Sequence, residues 1–595
     1  MSKATTHTNE LGELYIPKLY TAVAGDIDID GGLGLNNIET LQLAYLRISS
    51  YLKLGELVEL FTDSSLIPVA HTFVMEGGTH HEWLPILLPK ASIKPDWIDP
   101  LVCRINRTGA STYPLRLRVD LKEPAGVDPD PATPGHQGLR IYPPDDVAVK
   151  GVSEERARQG IDITLMPYLN MARGDLALLC WGDQQVAYSV THADVGHEIN
   201  VKVPYEKVMA ARDGREVNVR LQVRGHTGNF TDPSARWSAT SKVLVYAQRD
   251  LLREPYSSAA DPQTGIVDLV RLNDKPLIAS VFASPDYFEL RDTVKFSFTA
   301  TDAEGRVSTY NEEKPVERIN TILDFSVPYE FVAGLAQGHA KLAYVLHKHI
   351  GATTMFSQAS YVSIQGPRTQ WQAPHLLDTI PIAQSHSTGV DGYAYVPYQA
   401  SWKSQDLITF VWLLADLEGC VEYRFSRSAG ERPEHGAIEF VLPAVQTKRF
   451  EGRTSEMYYE ASRITGSLLG ESARKTLLVG ERWSPMAAPV VAHAVGHHLD
   501  PDSVANGAWV TLPSPPANQD VRLHWIGPGG RIEMPVDVPT AGDARVKVPA
   551  KYVLDNLNQV VKVYWLIYQD NVPYRYSSVV TLLIARRGID GFEER

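Results

Sequence analysis

Val203-Pro204-Tyr205 returns at Val327-Pro328-Tyr329, and looser copies stand at Leu88-Pro89, Leu442-Pro443 and Val548-Pro549. The five prolines lie 115, 124, 115 and 106 residues apart, so one unit is written five times. A unit much longer than ~50 residues buries its own core and is a domain, not a turn of a solenoid. A second landmark keeps the same register. An acid opens a run of alternating apolar residues that closes on a large ring: Glu56 leads to Phe61, Asp175 to Trp181, Asp292 to Phe298, Asp406 to Trp412 and Asp520 to Trp525. Period-two alternation ending on a buried ring describes a half-buried strand in the middle of a β-sandwich.

Working outward from these landmarks, the chain divides into modules 1 to 5, at residues 1–124, 125–250, 251–367, 368–482 and 483–595, the last with a short charged tail. Ile16-Pro17, Glu254-Pro255, Ala373-Pro374 and Ala488-Pro489 read as the linkers. Within a module a first strand, the acid-to-ring strand, the strand ending at Val-Pro, a further alternating strand and a serine-containing closing strand follow in turn. Examples of the last two are residues 560–567 and 577–584. The alternation predicts one dry and one wet face. Seven or so short strands with glycine, proline and asparagine turns give the expected fold class: all-β, five tandem immunoglobulin-like antiparallel sandwiches. Stacked end to end, at roughly ten residues per strand and ~3.3 Å per residue, they would make a rod approaching ~200 Å. Residues 329–349 compete as a helix, but 341–346 fill a strand slot; a short helix is expected from Ser153 to Arg158, ended by Gly160.

Composition narrows the function. A formal charge of −13 over 595 residues disfavours nucleic acid or an anionic membrane as the main partner. No stretch of about 18 apolar residues predicts a membrane span, and the first ten residues lack a secretory apolar run. The chain is therefore expected to be cytoplasmic or exported by a specialised route. Cys103, Cys180 and Cys420 fall in three different modules, so no module closes an internal disulfide, and their apolar settings mark them as packing residues.

Candidate chemistry is sparse. Asp26, Asp28 and Asp30 ahead of Gly31 imitate the start of a calcium loop, although Asn37 stands where the closing glutamate belongs; the alternative is a plain turn. His493, His497, His498 and Asp500 form one small cluster and His80-His81-Glu82 another, without the spacing of a zinc site. Ser472-Ala473-Arg474-Lys475 matches Ser-x-x-Lys but precedes a closing strand, outside the setting that chemistry needs. Trp371, Trp402 and Tyr574, with Tyr458, Tyr459, Tyr568 and Tyr576, are candidate binding rings, the alternative being core or linker packing. No catalytic residue and no cofactor other than the calcium candidate is expected.

The repeat, with its proline-led entries, acid-to-tryptophan strands and Val-Pro turns, resembles the tandem immunoglobulin-like domains of bacterial adhesin and invasin-like surface proteins. The resemblance implies a non-enzymatic binding role in a surface or extracellular system, with a protein or carbohydrate recognised through loops at module ends. The alternative is a structural component or delivered cargo of a secretion, toxin or phage-like assembly, and therefore a partner in a larger particle.

Overall fold

The computed structural model describes residues 11–586 other than 12, 18, 21–28, 36, 38–42, 48–51, 63–67, 75–82, 96–99, 106–109, 249, 352, 367–369, 377–390, 400–401, 417–418, 467, 481, 483–485 and 570. Each repeated proline ends a strand and opens a short helix. Pro89 caps Lys90–Ser92, Pro204 caps Tyr205–Ala211, Pro328 caps Tyr329–Ala333, Pro443 caps Ala444–Arg449 and Pro549 caps Ala550–Leu554. Proline has no N–H to continue a ladder, and its fixed φ suits a helix start, where that N–H would be unused. Residues 329–349 thus divide into the helix Tyr329–Ala333 and the strand His339–His347. The expected helix forms over Glu154–Arg158, with the Ser153 hydroxyl accepting from the Arg156 N–H, and Gly160 takes up a left-handed φ of 73°.

The acid at each strand start has a structural task. The carboxylates of Glu56, Asp175, Asp292 and Asp406 accept the backbone N–H three residues upstream, at 3.0, 2.9, 2.8 and 2.8 Å. Each closes the loop before its strand and satisfies a donor that the ladder has not yet reached. Asp520 departs from the pattern and pairs instead with Arg522. A hydroxyl recurs as well: Thr112, Ser238, Ser357, Ser472 and Ser577, all buried, accept the N–H of Cys103, Leu221, Tyr344, Tyr459 and Trp565. This explains Ser472, whose hydroxyl is committed to the backbone. Ser472→Ala is expected to cost about 1–3 kcal/mol by orphaning the Tyr459 N–H, and Ser472→Thr less, because module 1 already uses threonine there; urea unfolding of both variants measures this.

Module 5 displays the sandwich. Val490–Val491, Ala508–Leu512 and Ala544–Val548 form one antiparallel sheet. The facing sheet runs His498–Leu499, Val580–Ile584, Gln559–Gln569, Asp520–Ile526, Arg531–Pro535, with the first pair parallel and the rest antiparallel. Module 2 repeats this order, with Ile141–Tyr142, Ile161–Leu165 and Ile199–Val203 opposite a sheet containing Leu176–Trp181 and Gly214–Arg224. This is the immunoglobulin-like Greek key. The closing rings Phe61, Trp181, Phe298, Trp412 and Trp525 are all buried, and among the described residues each module has its own large apolar cluster.

The modules do not string out end to end, which corrects the expected rod. Module 1 is clasped on both sheets. One outer face, with Leu43 and Tyr45, packs on Val411, Leu413, Cys420 and Tyr458 of module 4. The other, with Leu57 and Phe73, packs on Tyr564, Leu566 and Tyr568 of module 5. There Lys562 Nζ meets Glu59 Oε1 at 2.9 Å, both side chains being buried, and the Tyr564 hydroxyl donates to the Gly55 carbonyl at 3.3 Å. The wet face expected for residues 560–567 is therefore dry. Modules 2 and 3 also lie face to face, but through polar groups: Lys341 pairs with Asp183 at 2.6 Å, Gln222 donates to the Ala303 carbonyl and the Tyr361 hydroxyl to the Ala211 carbonyl.

His524 lies in the module 1–module 5 contact, stacked on Tyr564 at 5.0 Å and within 3.1 Å of the Tyr568 hydroxyl. Burial pushes its pKa down to about 4, with Glu533 opposing and Arg522 assisting. The folded value is below the unfolded ~6.5, so the neutral ring's contribution is complete above ~6.5 and is lost as pH falls toward 4, by at most about 3 kcal/mol. Burial raises Glu59 against the pull of Lys562, which acts in the opposite sense. Melting at pH 7 and pH 4.5 is therefore compared with His524→Phe, whose pH-dependent loss is expected to be the smaller.

Candidate functional site

Folding back creates a cleft of about 1070 Å³ where modules 1, 2, 3 and 4 meet. Its module 1 wall is the outer face of an antiparallel sheet. Tyr15 stands opposite Tyr45 in register, and the Tyr15 and Trp83 rings lie 5.8 Å apart at 50°. The inward neighbours Leu14, Leu46 and Leu84 hold these strands in the module core, and alternation turns the rings outward.

The module 4 wall is an ion-pair ladder across three strands. The Arg424 guanidinium bridges Glu422 and Glu460, each at 3.1 Å, and the Tyr45 hydroxyl donates to Glu422 at 2.9 Å. Arg474 lies 4.0 Å over the Tyr458 ring and pairs with Glu456 and Glu471. From module 3, Arg306 pairs with Asp302 and Glu304 and donates across the junction to the Leu469 carbonyl at 2.6 Å. Module 2 contributes Arg224, 4.4 Å over the Phe230 ring and donating to the Glu304 carbonyl. The turn before Phe230 requires Gly228: φ is 87°, and a Cβ would come within 2.9 Å of the Tyr20 ring.

Burial first, then Glu460, pushes Tyr458 up to about 12; burial and Glu422 raise Tyr45 further. Burial would lower Arg424, but Glu422 and Glu460 prevail and raise it. Tyr45 and Tyr458 are thus neutral and Arg424 charged throughout the physiological range. Among the described residues the lining contains four arginines and four glutamates and no histidine, cysteine, lysine or aspartate. What it offers is fixed donors, fixed acceptors and ring faces.

Of the described residues singled out in the sequence, Tyr458, Asn37 and Arg474 line the cleft and the others are placed elsewhere. Trp371 and Trp402 pack edge to face at 5.5 Å, and Trp371 stacks on Tyr459 at 6.0 Å; Trp402 is buried, so these rings fasten the linker to module 4 and form no exposed platform. Tyr574 lies in the strand Val572–Tyr576; its side chain, like Asp26 and Asp28, lies outside the described residues. Asp30 accepts the Arg116 N–H at 2.7 Å, and among the described residues no group of three or more His, Cys, Asp or Glu could hold a metal ion. His497 Nδ1 is 3.0 Å from the Thr581 carbonyl, and Asp500 caps the turn Pro501–Val504. Cys103, Cys180 and Cys420 are buried, and burial pushes Cys180 up to about 12. Of the candidate binding rings, Tyr458 lines the cleft. Tyr15, Tyr45, Trp83 and the arginines carried no local signal. What the sequence did offer was the unbroken apolar run around Trp412, Phe410-Val411-Trp412-Leu413-Leu414, which marks a strand buried on both faces.

The sheets define an all-β chain of immunoglobulin-like β-sandwiches, with a cleft between modules. No family model matches the sequence, and no curated protein matches it. Among solved structures, a Ca2+-stabilized adhesin that helps an Antarctic bacterium reach out and bind ice aligns at 11% identity over 76% of this chain and 100% of its own, TM-score 0.15. A bacterial ice-binding adhesin aligns at 11% over 59% and 99%, TM-score 0.14. The FN1-FN3 domains of chicken CNTN1 align at 7% over 53% and 95%, TM-score 0.17. At such values no property of those proteins passes to this chain. No helix among the described residues is long and apolar enough to cross a membrane.

Proposed function

We propose that this chain is a non-enzymatic binding protein of a surface or extracellular system, and that its ligand occupies the cleft between modules 1, 2, 3 and 4. The supporting observation is the cleft itself, a cavity of about 1070 Å³ in which half-exposed rings face Arg–Glu pairs already locked in place. A preorganised site of this kind spends little side-chain entropy on binding. In this reading the sheet faces of modules 1 and 4 act together with loops of modules 2 and 3, in place of the loops at module ends expected from the sequence.

The test is binding of labelled full-length protein to a panel of cell and particle surfaces, comparing Tyr15→Ala and Tyr20→Ala with Tyr246→Ala. Tyr246 is an exposed tyrosine of module 2 remote from the cleft. Binding to a surface that is lost in the first two variants and kept in the third is expected; equal binding by all three overturns the assignment. The fold-back favours a second reading, a component of a larger assembly, because a chain that closes on itself makes a poor spacer. Recovery of the native protein in a large particle, with no surface bound, would establish that reading instead.

A further inference from the structure

We infer that the ligand of this cleft is a short neutral oligosaccharide, an inference that rests on the cleft being the binding site. Charge comes first. Among the described lining residues four arginines balance four glutamates, and Arg306, Arg424 and Arg474 are already neutralised by Glu304, Glu422, Glu460 and Glu471. A phosphate, a sulfated or sialylated sugar or an acidic peptide would have to displace a carboxylate to reach the guanidinium of Arg306, Arg424 or Arg474, and a cationic ligand would meet the converse; Arg224, spread over the Phe230 ring and donating to the Glu304 carbonyl, is the one lining guanidinium with no carboxylate partner among the described residues.

Polarity excludes the opposite extreme. A purely apolar ligand would strip water from eight charged side chains without replacing their hydrogen bonds. A peptide binding by strand addition needs a free sheet edge, whereas the module 1 and module 4 walls are sheet faces. A sugar meets both remaining demands. Its hydroxyls donate and accept at once, matching Arg–Glu pairs that offer both functions side by side, and its C–H faces lie against rings such as Tyr15 and Trp83. The volume of about 1070 Å³, just above the roughly 300–1,000 Å³ of small-ligand sites, suits several sugar rings in line rather than one.

The experiment exposes full-length protein to an immobilised array of short neutral, sialylated and sulfated oligosaccharides. It is repeated with Tyr15→Ala, Tyr20→Ala and Tyr246→Ala, after melting curves show that all are folded. Retention of neutral sugars is expected, weakened about tenfold or more by the first two variants and unchanged by the third. For a retained sugar in solution, Trp83→Phe should remove part of the fluorescence change seen on titration. Retention of charged sugars alone, or of none, overturns the inference. If the array is empty while surface binding still depends on Tyr15 and Tyr20, the sugar class fails and the cleft stands. If neutral sugars bind equally to all variants, the placement in the cleft fails and so does this inference.

Discussion

Removing one buried carboxylate, in Glu59→Ala, is expected to release module 1 from module 5 at a cost of about 3–5 kcal/mol. Glu59 and Lys562 are paired at 2.9 Å, with side chains only 4% and 6% exposed, so deleting the acid strands a buried ammonium. The Thr581 hydroxyl, 3.1 Å from Lys562 Nζ, compensates little, since a neutral oxygen does not offset the charge. The loss belongs to the contact and leaves both module cores intact. Hydrogen exchange should therefore rise in Leu57–Thr62 and Gln559–Gln569, and the scattering radius should grow, while the cores keep their protection. Unchanged exchange and radius would show that the pair does not hold the modules together. Glu59→Leu with Lys562→Met should restore closure to within about 1 kcal/mol, because an apolar pair leaves no charge behind.

Trp412→Ala is expected to be as damaging for a different reason. Trp412 is fully buried, stacked on Phe450 at 4.0 Å and 5°, and its indole N–H donates to the Ser455 hydroxyl at 2.8 Å. Truncation removes the ring and leaves a cavity, costing about 3–5 kcal/mol. For a module of this size that lowers melting by roughly 15 °C or more. The effect should spread beyond module 4, because Val411 and Leu413 on the same strand form the seat for Leu43 and Tyr45 of module 1. Ligand binding at the cleft should then be lost at temperatures where modules 2 and 3 remain folded. Trp412→Phe keeps the stack and forfeits the Ser455 bond, so most of the stability should return; a melt indistinguishable from wild type in Trp412→Ala would contradict the packing described.

The sandwich was legible because its signals are local. Proline at 89, 204, 328, 443 and 549 ends a strand whatever surrounds it, and the acids at 56, 175, 292 and 406 precede strands because a carboxylate closes the turn three residues behind it. The short helices after the prolines were less visible, at five to seven residues below the length at which an apolar period declares itself. Trp371 and Trp402 looked like free platforms because a linker ring has no strand alternation to show which way it faces.

By itself, then, the sequence determined the strand pattern and the all-β, immunoglobulin-like class of the fold, both set by contacts within about a hundred residues. Tertiary structure alone decided how the modules sit together. Alternation tells whether a face is apolar, not what covers it. The polar face of Asn218, Arg220 and Gln222 reads as wet, yet all three are buried, and the Gly338 and Ala303 carbonyls of module 3 accept from Arg220 and Gln222. The face of Tyr564, Leu566 and Tyr568 was likewise expected to be wet and is dry, because residues some five hundred positions earlier cover it. The cleft follows from that choice of neighbours. Its lining extends from Tyr15 to Arg474 and no segment contains enough of it to be recognised, since its chemistry exists only once module 1 has closed against module 4.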